Sequence, residues 1–495
     1  MVPLLFETRP TTPLPAPNRA DVACFIGLLP WRGNPAASNG PQRIESWEAF
    51  DQRFAWDRRP LDFPDQASAT ASEIAQHCTT QLGAAVRSFF AQGGRCCYVV
   101  RVDDPLPVCT LGLPEAQRQR LRHHRDALLR ALLPGYPQPL SPTPLDPGSW
   151  NGIGALFGLP EVSYVALPDL ADLLAVGRPP LPPSPRLALP EVFVDCAAPW
   201  VAPVDREGPG LQAPRCDPEG YRLWGSLVVA IVEFLRRWRR EVQLVAALPL
   251  PHAGGDVRAA LPPTLASGFV QLVYPWVRTP LSDQLPGGLE SPEGVLVGLL
   301  ARNALSRGSF RSAVGLGLGD VRALEPTLTR QQRLQPLLHQ DSPGTTAPRL
   351  SLTDRVSLLG PTPKGLRLLS DVTTSRDPSY RQASVHRLVT ALVRAARALG
   401  ELHSFEPSGE PLWRRLRDSL ETLMTQLWLN GALAGASAED AFAVRCDRTT
   451  TSQQDRDSGR VLAEVTFWAA VPIEEIRVVL AMEEGGQVTL HGPPP

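Results

Sequence analysis

The 53 prolines among 495 residues, about twice average usage, constrain this chain more than any other feature. Each one fixes φ near −65° and removes a backbone donor, so the chain must be rich in fixed turns and extended connectors. They cluster at residues 10–17, 133–147, 179–190 and 493–495. These stretches read as an arm, two linkers and a tail, and they divide the sequence into blocks that must each find a core.

At roughly 150 residues per domain, 495 residues exceed one ordinary core and predict about two to four domains. A hydrophobic content of 43% and a charged content of 20% fit a globular protein. A net charge of −1 supplies no long-range field for gathering nucleic acid or anionic lipid. The opening "MVPLLFETRPTTPLPAPNRA" has no basic start followed by an apolar core, and no apolar run approaches the roughly 18 residues of a membrane span. The chain therefore reads as cytoplasmic, its eight cysteines unevenly spaced and reduced.

Residues 1–20 cannot build a core alone, although a short strand fits Leu4 to Thr8. "DVACFIGLL" (21–29) is a strand-length apolar run, and "QRIESWEAFDQRF" (42–54) predicts a short strand and a helix capped by Ser46, with Trp47, Phe50 and Phe54 on one face. A capping box at Thr70 and Glu73 predicts a helix carrying Ile74, Cys78, Leu82, Ala85, Phe89 and Phe90 that stops at Gly93–Gly94. The strand after it sends Tyr98, Val100 and Val102 to one face and Cys97, Val99 and Arg101 to the other. Cys96 and Cys97 therefore face opposite ways, which suits packing and not joint chelation of a metal.

From 150 to 255 the sequence alternates "VSYVALPDL", "EVFVDCAAP", a long amphipathic helix (221–242) and "QLVAALPLP", the pattern of an α/β layer. Residues 265–325 continue with strand, helix and a Gly-rich turn. Residues 326–380 read as polar and irregular. Two helices follow (about 382–402 and 411–430), then the strands "RVLAEVTFWAAVP" and "EIRVVLAM".

Candidate chemistry is thin. "GLGLGD" (315–320) follows a helix and lacks the third glycine of a dinucleotide fingerprint, so it reads as a turn. His123–His124 lie on a basic, solvated helix face, and "RRWRRE" (236–241) reads as a solvated helix end where arginines suit the macrodipole. Glu474–Glu475 and Glu483–Glu484 diverge on a strand and do not pair as acid and base. The usual phosphate-loop, zincin and nucleophile-elbow motifs do not occur.

The C-terminal fifth carries a resemblance. "FEPSGEPLWRRLRDSLETLMTQLWLNGALAGASAEDAFAVRCDRTT" and "DRDSGRVLAEVTFWAAVPIEEIRVVL" (405–480) resemble the contractile tail sheath family of phages and phage-like injection systems, with helix, "GAL.G", "AF.VRCD.TT" and a closing strand in the family's order. "ADVACFIGLLPWRG", "RIESWEAFDQRF" and "AVRSFFAQGGRCCYVVRV" are similar to the family's N-terminal segments, and "LPDL" and "LLARNALSRGSFRSA" carry the match through the middle. The family's "TMTQ.D.D.G" stands here as "TTSQQDRDSG" (450–459), and the N-terminal arm is short and proline-rich.

The resemblance implies a mixed α+β, multidomain α/β protein of layered sheets with flanking helices and extended terminal arms. Its parts are an arm (1–20), an α/β segment (21–110), a middle or outer region with proline-rich linkers (111–380), an inner domain facing the tube (381–480) and a tail (481–495). It also implies a structural subunit without cofactor or catalysis that stacks as rings around an inner tube and contracts to drive the tube through an envelope. The implied partners are further copies of itself in a helical homo-polymer, the tube protein, and baseplate and cap proteins, with no nucleic acid and no direct membrane insertion. Leu4, Leu5, Phe6, Glu7 and Thr8 would add a strand to a neighbour's sheet. The competing readings are a paralogue serving as cap or baseplate element and, in another class, an α/β hydrolase-type enzyme.

For the tube contact, the helix 411–430 is the candidate. Leu412, Leu416, Leu420, Leu423 and Leu427 form its apolar stripe, while Arg414, Arg415 and Arg417 crowd its first turns, where cations oppose the macrodipole unless an acidic partner answers them. The bland alternative is that these arginines are merely solvated. The runner-up is helix 382–402, with Arg387, Arg394 and Arg397 on one stripe.

Overall fold

The computed structural model describes residues 20–33, 40–61, 77–108, 115–175, 213–252, 255–261, 264–337, 350–403, 406–407, 409–470, 476–482 and 488–491. Its largest element is an eight-stranded sheet. The strands are β1 (Ala23–Leu28), β2 (Gln42–Ile44), β3 (Cys97–Asp103), β4 (Tyr164–Ala166), β5 (Gln243–Ala247), β6 (Val270–Tyr274), β7 (Ser357–Thr362) and β8 (Gly365–Leu368). They lie in the order β8-β7-β6-β5-β4-β1-β3-β2. The six inner strands are parallel, and β2 and β8 close the two edges antiparallel. A parallel sheet needs helices on both faces, and the hydrophobic pattern supplies them.

One face carries α1 (Trp47–Arg53), α2 (Gln81–Ala91) and α5 (Glu293–Ser306), which bury Phe50, Leu82, Phe89 and Leu296 against Phe25, Val99 and Val245. The opposite face carries α3 (Glu115–Leu132) and α4 (Pro218–Trp238), which bury Leu128, Leu132, Trp224 and Ile231 against Ile26, Val165 and Leu272. Ser46 caps α1 as expected, its hydroxyl accepting from Ala49 N. The two adjacent cysteines divide between the layers: Cys96 packs with the α4 side and Cys97 with the α2 side. Both are closed off from solvent, so they are core residues.

The crossing of α2 and α5 depends on two glycines four residues apart. A Cβ on Gly294 would lie 2.0 Å from the Ala85 carbonyl oxygen, and one on Gly298 would lie 2.6 Å from that of Phe89. This is the close approach that a small-xxx-small spacing permits.

Three expectations change. The predicted capping box at Thr70 and Glu73 lies outside the described residues. The helix itself begins at Gln81, where the Thr80 hydroxyl accepts from Gly83 N, and Cys78 belongs to a two-residue strand with His77. Residues 326–380 are not irregular, since they supply β7 and β8. Gly360 and Pro361 hide β7 in the sequence, and Pro361 is tolerated because it pairs with the edge strand, opposite Leu366. "GLGLGD" is not a free turn either. Gly315 N and Leu318 N donate to Leu368 O and Leu366 O, so the segment runs along the sheet edge beside β8. "EVFVDCAAP" lies outside the described residues.

A third core lies in residues 385–480. The helices α6 (Ala383–Leu402) and α7 (Glu410–Leu429) pack on an antiparallel sheet of β9 (Phe442–Arg445), β10 (Val461–Phe467), β11 (Ile476–Met482) and β12 (Val488–His491), in that order. Along β10 buried and half-buried residues alternate strictly, the pattern of a strand packed on one face. Within the expected tail, Val488–His491 forms the outer strand of its own chain's sheet, paired with Val479–Met482.

Candidate functional site

In an open α/β sheet the carboxyl ends of the strands are the usual ligand site, and here the described side chains fill them. The Asp169 carboxylate accepts from Leu28 N at 2.7 Å, at the end of β1, and from Leu82 N at 3.2 Å, at the start of α2. Glu293, at the start of α5, accepts from Ala247 N at 2.8 Å, at the end of β5, and from the Ser291 hydroxyl at 3.2 Å. Glu290 accepts from the Thr279 hydroxyl at 2.7 Å. Burial pushes the carboxyl of Asp169 up to about 7, of Glu290 to about 7 and of Glu293 to about 8. Such values often mark catalysis, but these three groups are shut away from solvent, where Asp169 and Glu293 tie helix starts to strand ends.

At the amino ends of the strands lies α6, and here the runner-up arginine stripe of the sequence finds its use. Arg387 grips Asp371 with two nitrogens, at 3.1 and 2.6 Å, and donates to the carbonyls of Ser309 and Arg311. Arg394 donates to the Val162 and Glu241 carbonyls, just before β4 and β5. Arg397 and Arg239 share the Glu241 carboxylate. Burial alone would push both acids up. Instead the Arg239 and Arg397 guanidiniums hold Glu241 at about 2, and the Arg387 charge and its hydrogen bonds hold Asp371 below the usual range. Arg239 and Glu241 are buried, so "RRWRRE" ends its helix in an internal ion pair and not in solvent. The arginines of α6 are fasteners between the C-terminal core and the sheet and are not available to another molecule.

The arginines of α7 differ. Leu412, Trp413, Leu416, Leu420 and Met424 are buried and Leu423 and Leu427 pack against the same core, so the expected apolar stripe forms with Trp413 and Met424 added. Arg414 and Arg415 are exposed and Arg417 is partly so. Each has a surface partner: Arg414 with Glu410, Arg415 with Glu406, and Arg417 with Asp418 and Glu421. Exposed pairs of this kind contribute about 0–1 kcal/mol and exchange readily, so the three cations stay open to a better partner. Arg414 and Arg417, but not Arg415, line one wall of a groove of about 500 Å³ between α7 and the turn after β9, bounded also by Glu410, Trp413 and residues 446–449. Sequence reasoning found the arginines but not the opposite wall, Asp447, Arg448 and Thr449, because the turn that folds it back is not periodic. The arm residues Leu4, Leu5, Phe6, Glu7 and Thr8 lie outside the described residues. Among the described residues no cluster of histidine, cysteine and carboxylate could hold a metal ion, and no helix is long and apolar enough to cross a membrane.

No protein-family model matches the sequence, and no curated protein sequence matches it either. Solved structures do match. A chain of the contracted anti-feeding prophage (AFP) baseplate aligns with a TM-score of 0.59 at 17% identity, covering 96% of this chain and 97% of that one. A chain of the contracted AFP helical sheath aligns at 0.54 and 18% identity, covering 96% and 98%. One from the contracted PVC sheath complex, an extracellular contractile injection system, aligns at 0.51 and 16%, covering 95% and 94%. Across nearly its whole length the chain therefore has the fold found in the contractile sheaths of these injection systems.

Proposed function

We propose that this protein is a structural sheath subunit of a contractile injection system. It polymerises as a helical homo-polymer around an inner tube and contracts to drive the tube through a target envelope. The observation that carries this reading is end-to-end agreement in fold with a chain of the AFP helical sheath, 96% of this chain against 98% of that one, since a shared scaffold alone would cover one domain. Filled strand ends fit a load-bearing role better than a catalytic one. In this assignment residues 381–480 form the inner, tube-facing domain, Arg414, Arg415 and Arg417 contact the tube, Leu4 to Thr8 add a strand to a neighbour, and baseplate and cap proteins close the assembly.

A second reading, a sheath paralogue in the ring at the baseplate, is favoured by the alignment with a chain of the AFP baseplate structure. Negative-stain microscopy of the full chain, expressed alone and with its tube protein, tests both. Long striated hollow cylinders are expected of a main sheath and single rings of a baseplate paralogue. A small monodisperse species under both conditions refutes the sheath assignment.

A further inference from the structure

Among the described residues the buried arginines are matched by acids, with one exception. Arg59 pairs with Asp172, Arg239 with Glu241 and Arg387 with Asp371, and Arg394 lies in the field of Glu241. Arg355, 2% exposed, makes no ion pair among the described residues. Its Nη2 donates to the Leu265 carbonyl at 2.5 Å, and its Nε finds no acceptor. Burial, and after it the like charges of Arg376 and Arg381, lower its guanidinium to about 10. The fold brings these three cations to one place. Just before β6, Ser267 N donates to the Thr374 hydroxyl and that hydroxyl donates to Ser267 O, both at 3.1 Å, while Thr374 N donates to Val270 O. Those bonds pin the turn 372–382 beside the segment that Arg355 holds through Leu265. Within the turn Thr373 N donates to Arg381 O at 2.8 Å, and Arg381 Nη2 donates to Arg376 O at 3.4 Å. The acids next to these arginines in sequence are engaged elsewhere. Asp354 accepts from Ser351 N and from the Ser351 hydroxyl at 2.8 and 2.7 Å, and Asp377 accepts from Ser379 N at 2.9 Å.

A buried guanidinium without a counter-charge is costly, and two more cations beside it raise that cost, so an anion that completes the cluster is strongly favoured. We infer that Arg355, Arg376 and Arg381 form a binding site for a tetrahedral oxyanion of the phosphate or sulfate class. Guanidinium only donates, and its bonds to an oxyanion are charge-assisted and often bidentate. Arginines from separate points of the chain suit a group with four oxygens better than a carboxylate with two. Arg376 is exposed and Arg381 half-buried, so the ion enters past these two and Arg355 closes the inner side. The site lies where the chain leaves the sheet for α6, which begins at Ala383. A bound oxyanion therefore ties the start of the C-terminal core to the amino end of β6. This inference goes beyond the sheath reading and does not depend on it.

The test is thermal unfolding of the full-length protein near neutral pH, followed by tryptophan fluorescence, in sodium phosphate, sodium acetate and sodium chloride at equal ionic strength. The expected result is a melting temperature that rises saturably with phosphate and does not rise with acetate or chloride. Arg355→Met should lose the phosphate response. Arg381→Gln should raise the phosphate concentration that gives half the shift about tenfold, the loss of one charge-assisted partner. Arg381 is a half-buried turn residue, so that variant keeps the test decisive if Arg355→Met does not fold. No phosphate shift in the parent overturns the proposal. So does a shift of the same size and midpoint in Arg381→Gln, which would mean a general salt effect, and so does an equal shift with acetate, which would mean a carboxylate site. Assembly is not read in this experiment, so failure here leaves the sheath assignment standing, and absence of cylinders does not count against the oxyanion site.

Discussion

Replacing Arg387 by Ala should be among the most damaging single changes in this chain, and its cost should depend on pH in a calculable way. Arg387 is the partner of Asp371, which is fully buried. Without the guanidinium, Asp371 keeps only neutral donors, Gln271 Nε2 at 2.8 Å and Ala313 N at 2.8 Å. It must then stay charged without compensation or take up a proton. Protonation limits the penalty. From an ordinary carboxyl value of about 3.9, holding a proton at pH 7 costs ~1.4 kcal/mol for each of about three pH units, or ~4 kcal/mol. The same step at pH 5 costs ~1.5 kcal/mol. The upper figure agrees with the ~3–5 kcal/mol typical of breaking a buried pair from one side.

The sign follows from linkage. In the parent the Asp371 carboxyl is held low, so it contributes stability above the unfolded value and loses it as pH falls through the folded one. In Arg387→Ala the folded value is raised, so the variant's deficit grows as pH rises from about 4. Urea unfolding followed by tryptophan fluorescence should show a deficit of ~4 kcal/mol at pH 7 that shrinks by more than half at pH 5. Adding Asp371→Asn to the variant should recover part of the pH 7 loss. A deficit below ~1 kcal/mol at pH 7, or one that is the same at pH 5, refutes the claim that Arg387 compensates a buried charge.

Changing Arg414, Arg415 and Arg417 together to Glu should abolish co-assembly with the tube while leaving empty contracted sheath, because acids are favoured in the first turns of α7 and the new repulsions with Glu406, Glu410 and Glu421 cost only tenths of a kcal/mol each. Tube-filled particles at the parent's yield in electron micrographs would defeat the assignment. Glu293, pushed up to about 8 by burial, should make the subunit less stable as pH rises from about 4 toward 8. Glu293→Gln should flatten that decline in urea midpoints at pH 5, 6.5 and 8, and parallel curves would contradict it. Gly294→Ala should destabilise by ~1–3 kcal/mol despite alanine's better helix propensity, since the backbone of α2 blocks the Cβ; an unchanged or raised melting temperature would show that the crossing can open. Cys96 and Cys97 changed together to Ala should cost ~1–3 kcal/mol in unfolding free energy with assembly intact, and loss of cylinders from a folded variant would reveal a further role.

What could be read in the sequence was local. Ser46 before "WEAF" and the alternation through Val461–Phe467 each place a cap or an inward face within a few residues, and the structure realises both. β7 escaped because Gly360 and Pro361 interrupt the run, and its place in the sheet depends on pairing with β6, more than 80 positions earlier in the chain. The G-x-x-x-G of α5 was visible as spacing, but its meaning requires knowing that α2 lies across it.

The two arginine stripes show where that boundary falls. In the sequence alone, Arg387, Arg394 and Arg397 of α6 and Arg414, Arg415 and Arg417 of α7 look alike: each set is a basic group on a helix that also carries an apolar stripe. Periodicity assigns a side chain to a face of its own helix, but not the charge that the face will meet. Glu241, which meets Arg397, lies 156 residues away in sequence. The Val162 carbonyl reaches α6 at the amino end of β4, and Asp371, which follows β8, reaches it beside Gln271 of β6. The α6 arginines thus become internal compensation for buried acids, where a charge can be lost only at a cost of several kcal/mol. Those of α7 face solvent with partners worth a fraction of that. The difference in exposure, and not any difference in composition, separates a fastener from a surface that can exchange its ion pairs for a partner's.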